Sequence, residues 1–111
     1  MAETTESVQQ AERIRAAIEG PVSLGPGFLR GEVTVQAMTD AMIAAVRGYQ
    51  AGEQAAGRDL APLGSESAEL IPVLKELITC GGGYQAGRCD AACVARTMTY
   101  LVSEFGSAEQ A

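Results

Sequence analysis

The chain contains no histidine and no tryptophan, and Lys75 is its only lysine. Without an imidazole it lacks the usual general base near neutral pH. Ser-His and Cys-His nucleophile pairs and most zinc hydrolase sites go with it. Aromatic residues make up only 5% of the sequence, so a core must be built from Ala, Val, Leu, Ile and Met. That palette suits closely packed helices, and alanine-rich segments favour helix over strand. Long apolar runs are also missing. The longest clean one, residues 41–46, falls far short of the ~20 residues that cross a bilayer. The acidic first residues show no cationic stretch leading into an apolar one, so a cytoplasmic address is expected.

Positive charge is scarce, with 8 Lys and Arg against 14 Asp and Glu and a net charge of −6. The arginines (Arg13, Arg15, Arg30, Arg47, Arg58, Arg88, Arg96) are scattered. A phosphate-backbone binder needs clustered cations to displace counterions, so neither nucleic acid nor an anionic membrane surface is an expected partner.

What is present is a hydrophobic fraction of 47% spread over 111 residues, ample for one domain. Residues 1–6 and 107–111 are polar and expected to fray. Ser7 is placed to cap a first helix carrying Val8, Ala11, Ile14 and Ile18, and Gly20-Pro21 is expected to end it. Residues 20–33 then read as a loop whose Val22, Leu24, Phe28 and Leu29 pack across a bundle end. Thr34 is the expected N-cap of a second helix, with Val35, Met38, Met42, Ala45, Val46 and Tyr49 at helical spacing. Gly48 and Gly52 weaken its end, and residues 57–65 form a connection.

A third helix is expected from Ser65 or Ser67, with Leu70, Ile71, Leu74, Leu77 and Ile78 as its apolar face. Pro72 belongs in its first turn, and Gly81-Gly82-Gly83 is the expected stop. The last helix runs from about Arg88 to Phe105, with Val94, Met98, Leu101, Val102 and Phe105 as its stripe. The expected fold is therefore all-α, a compact bundle of about four helices.

A repeated pentapeptide suggests a duplicated helical hairpin. Gly48-Tyr49-Gln50-Ala51-Gly52 returns unchanged as Gly83-Tyr84-Gln85-Ala86-Gly87, and apolar residues at helical spacing precede both copies. Around Gly83, Tyr84, Gly87 and Ala92 the pattern resembles a tetratricopeptide repeat, whose period is about 34 residues. Three successive glycines and the lack of a closing proline depart from that pattern, and no family membership follows. Tyr100 and Glu104 give Tyr-x-x-x-Glu, which is similar to the export signal of mycobacterial-type small helical secretion substrates. Their Trp-x-Gly turn is missing here.

Cys80, Cys89 and Cys93 are the only cysteines, in the spacing Cys-x₈-Cys-x₃-Cys. Cys89 and Cys93 are neighbours on one face if both are helical. Three sulfurs in so short a span suit a thiolate site for Zn²⁺ or Cu(I), or a redox pair. Structural zinc wants four ligands, so Asp90, water or another chain would have to supply the fourth. Soft Cu(I) accepts three thiolates. The plainer alternative is that the cysteines pack as small hydrophobes. In a reducing compartment all three are expected to be reduced.

Other constellations fail. A phosphate cradle at Gly81-Gly82-Gly83 would need a preceding strand and commonly a Lys with Ser or Thr. The carboxylates Asp40, Asp59, Glu69, Glu76 and Glu104 are scattered and read as solvated helix faces. The leading expectation is a non-enzymatic interaction module without a cofactor, acting as an assembly factor, adaptor or regulatory subunit and forming a homo-oligomer or binding another protein. Met38, Met42, Tyr49, Tyr84, Met98 and Tyr100 are its expected partner-binding residues, because methionine repacks readily and tyrosine is enriched at hot spots. The alternative is a thiol-based metal-binding or redox protein using Cys80, Cys89 and Cys93.

Overall fold

Four stretches of apolar residues spaced by threes and fours become four helices in the computed structural model, which describes residues 5–57 and 63–105. They are α1 (Thr5–Leu29), α2 (Val35–Ala55), α3 (Ser65–Gln85) and α4 (Ala91–Phe105), with no strand among the described residues. The fold is all-α. The expected tail at 107–111 lies outside the described residues, as do Arg58, Asp59, Pro62 and Gly106. Of the expected N-terminal tail, Thr5 and Glu6 already belong to α1.

Helix α1 does not stop at Gly20-Pro21 but runs on through Pro21 and Pro26. Each proline removes an amide that would have met the carbonyl four residues earlier, an interruption that costs about 3 kcal/mol in a helix interior. Two features offset it. The residue before each proline is glycine, so the Cβ that would collide with the proline ring is absent. The buried stripe also continues unbroken, through Ala11, Ile14, Ile18, Pro21, Val22 and Gly25. Burying a valine or isoleucine contributes about 1.5–3 kcal/mol, enough to match one such interruption. The expected loop at 20–33 therefore shrinks to the turn between Leu29 and Val35.

The same logic corrects the reading of α3. Pro72 lies well inside the helix, and Gly81, Gly82 and Gly83 continue it rather than end it. Gly81 serves as a point of close approach. A Cβ there would lie 3.1 Å from the Thr39 carbonyl oxygen and 3.1 Å from Ile43 Cγ1 of α2. Gly25 has the corresponding role between α1 and α4, where a Cβ would run into the Val102 side chain and sit 3.0 Å from Met98 Cε.

Different glycines do the stopping. Gly31, Gly57 and Gly87 have φ of 83°, 73° and 82°, and each lies just past the end of α1, α2 or α3. That left-handed conformation suits glycine and closes a helix. At Gly87 the closure is explicit: its N–H donates to the Tyr84 carbonyl at 3.1 Å, and the Arg88 N–H donates to Gly83 O at 2.8 Å. Thr34 caps α2 as expected, its hydroxyl accepting the Ala37 N–H at 3.1 Å.

Helix α1 packs against the other three, whereas α2 and α4 barely touch. The molecule is accordingly flat, 43 × 34 × 17 Å. Ile14, Ile18, Met38, Met42, Leu77, Met98 and Leu101 are fully buried between the helices. At the pole where α1 and α3 begin and α2 ends, the interior is polar, with Ser7, Gln10, Glu53 and Ser67 buried. The Arg13 guanidinium donates to both Glu53 carboxylate oxygens, at 2.7 and 3.3 Å. Gln10 Oε1 accepts the Leu63 N–H at 2.8 Å, and Arg15 pairs with Glu66. Glu53 falls on the buried stripe of α2, four residues after Tyr49, so its position is helical arithmetic and its charge the surprise.

Two glycine substitutions should move stability in opposite directions in urea unfolding. Gly82→Ala places a methyl where nothing lies within 4 Å and should stabilise by about 0.5–1 kcal/mol through backbone entropy. Gly25→Ala forces α1 away from α4 and should destabilise by about 1–3 kcal/mol.

Candidate functional site: three sulfurs and an open helix pair

Because α3 runs on to Gln85, Cys80 sits within that helix and is buried. The chain then reverses through residues 86–90. Gly83 makes the tight reversal possible: its carbonyl accepts the N–H groups of Arg88 at 2.8 Å and Cys89 at 3.2 Å, and a Cβ on it would touch Cys89 Cβ at 3.4 Å. Asp90 then starts α4, with its Oδ1 accepting the Cys93 N–H at 2.9 Å and its carbonyl accepting the Val94 N–H at 3.2 Å. A carboxylate there satisfies an amide that the helix leaves open and faces the positive end of the helix dipole.

The result is a cluster in which the three Sγ atoms lie within 4.8 Å of one another. Cys89 and Cys93 are half-buried and joined as a disulfide, with a Cα–Cα separation of 5.9 Å that lies in the usual range for such bridges. Full reduction of all three cysteines, expected from the sequence, is thus not what the structure displays. Cys89 also precedes α4 rather than sharing a helical face with Cys93, and the turn, not helical spacing, brings the two together. The hollow in front of the pair is lined by Gly87, Arg88, Cys89, Asp90, Cys93 and Arg96.

The residues expected to meet a partner are distributed very differently. Met38, Met42 and Met98 are fully buried and Tyr49 is nearly so, which places them in the core and not on a surface. Tyr84 is half-buried against that core. Tyr100 alone stands well out, 55% exposed. The two copies of the pentapeptide also differ in setting, since Gly52 continues α2 while Gly87 closes α3. Gln85 Nε2 bonds Asp40 Oδ1 across α2 and α3, whereas Gln50 lines the outer groove of that pair with Val46 and Ile71.

Tyr100 stands over a second hollow, between α3 and α4. It is lined by Glu69, Pro72, Val73, Glu76, Arg96, Thr97, Tyr100 and Leu101. These two helices pack only lightly against each other, so the space between their outer faces stays open. Glu69 and Glu76, which sequence reading treated as scattered, flank one apolar strip. The exposed Tyr-x-x-x-Glu pair places Tyr100 and Glu104 on the same helix.

No protein-family model, no curated protein and no solved structure matches the chain. Among the described residues no helix is long and apolar enough to cross a membrane.

The cap on α4 provides a direct check of this geometry. Asp90→Ala should lower stability by about 1 kcal/mol, and Asp90→Ser should restore most of it, as read by thermal unfolding of the reduced protein.

Proposed function

We propose that the chain is a non-enzymatic helical interaction module whose first partner is a second copy of itself. The observation that carries this reading is Tyr100, more than half exposed above the open α3–α4 hollow. Pro72 and Val73 make the hollow's centre apolar, while Glu69, Glu76 and Arg96 supply both signs of charge around it. A two-fold axis through such a face sets Arg96 of one copy against the carboxylates of the other, an arrangement open only to self-complementary patches. An exposed tyrosine between apolar neighbours is the kind of anchor that dominates such contacts. Tyr49, Tyr84 and the three methionines belong to the core or its margin and are not part of this face.

The absence of histidine and the pairing of buried Glu53 with Arg13 favour assembly over acid–base chemistry. On this reading the protein serves as an assembly factor, adaptor or regulatory subunit, and its interface is a standard-sized one of about 800 Å² per copy.

Light scattering across a concentration series tests the idea. The parent should be a dimer at tens of micromolar. Tyr100→Ala and Glu76→Arg should each weaken the dimer by about tenfold or more with helicity unchanged. A mass that stays monomeric at every concentration would sink the proposal.

A further inference from the structure

We propose that Cys80, Cys89 and Cys93 form a redox-gated site for one soft monovalent metal ion, Cu(I), held by three thiolates. The sulfurs come from two separate places, the later turns of α3 and the entry to α4, yet all lie within 4.8 Å of one another. An ion with three metal–sulfur bonds of about 2.3 Å spaces its ligands by about 4 Å, so side-chain rotation alone closes the set.

The donor set decides between ions. Zinc asks for four ligands, and the chain has no histidine to provide one. Asp90 is adjacent, but its carboxylate caps α4 through the Cys93 N–H and is a hard oxygen donor beside three soft sulfurs. Three soft sulfurs without a fourth donor match Cu(I). Three thiolates and one monovalent cation leave a net charge of −2, and Arg88 and Arg96 line the same hollow. Asp90 is the opposing charge there, and the first turn of α4 adds the positive end of its dipole at Cys93. Cys80 is buried, and Cys89 and Cys93 pack their inner sides against the core while bordering an open, arginine-lined hollow.

The gate is the Cys89–Cys93 bond. While it is intact, Cys80 is the only thiol of the three. A dithiol donor supplies two electrons and two protons. The sulfur–sulfur bond breaks, both cysteines become thiols, and the donor is left as a disulfide. Cu(I) then displaces one proton from each thiol as three sulfur–copper bonds form. This site is independent of the proposed dimer face, apart from Arg96, which borders both hollows.

The test uses the full chain, reduced with a dithiol and freed of it without oxygen, then titrated with Cu(I) against a chromogenic Cu(I) chelator. One equivalent should bind per chain, and X-ray absorption should show three sulfurs at about 2.3 Å. The oxidised protein should take up none until it is reduced. Cys80→Ser and Cys93→Ser should each lower Cu(I) affinity by at least about tenfold with helicity retained. Should Cys80→Ser unfold, Cys89→Ser on the turn carries the same test. Tyr100→Ala should bind Cu(I) like the parent, and loss of copper in that variant would make the ion a bridge between copies and overturn a single-chain site. A reduced chain that leaves Cu(I) with the chelator, a two-sulfur spectrum, or full affinity in Cys80→Ser would overturn it as well.

Discussion

Helix α1 carries a strip of buried residues from Ser7 to Gly25, spaced mostly by threes and fours across Pro21, and each of the other helices lies against it. Hiding that strip from water organises the rest. It holds the helix together where proline has removed backbone bonds. It brings α4 close enough at Gly25 that only a hydrogen fits. It also leaves α2 and α4 on opposite flanks, which makes the molecule thin and keeps the outer faces of α3 and α4 apart. The hollow under Tyr100 is a by-product of that layout.

Helix number, helix type and most of the core could be read from periodicity, because apolar spacing reports which face is buried whatever the residue identities between. Glycine and proline could not be read as reliably. Gly20-Pro21 and Gly81-Gly82-Gly83 carry the punctuation of helix ends, yet the first is bridged and the second continues α3, with Gly81 packed against α2. The physical difference lies in the partner surface. A glycine facing solvent past the last turn adopts positive φ, as at Gly31, whereas one facing another helix serves as clearance. One signal did distinguish them: the stripe Ile14, Ile18, Val22 keeps its phase through Pro21, and a true terminus would have lost it.

The site was legible in part. Cysteine spacing pointed to a cluster, and the turn that Gly83 and Gly87 permit brings the sulfurs together. Their oxidation state was not legible, because it depends on how closely a turn brings two side chains. The methionines misled for a related reason. Their adaptability suits a partner surface and a crowded interior equally well, and here the interior takes Met38, Met42 and Met98. Glu53 was missed because a lone carboxylate in a polar stretch gives no hint that Arg13, forty residues away, will meet it.

Helix α3 spans both chemically distinctive regions of the interior, with Ser67 among buried polar groups near its start and Cys80 among the sulfurs near its end. Thirteen residues of helix separate them by about 20 Å. Opening or closing the sulfur–sulfur bond is thus a local event, more than three helical turns away from the buried Ser67 at the other pole.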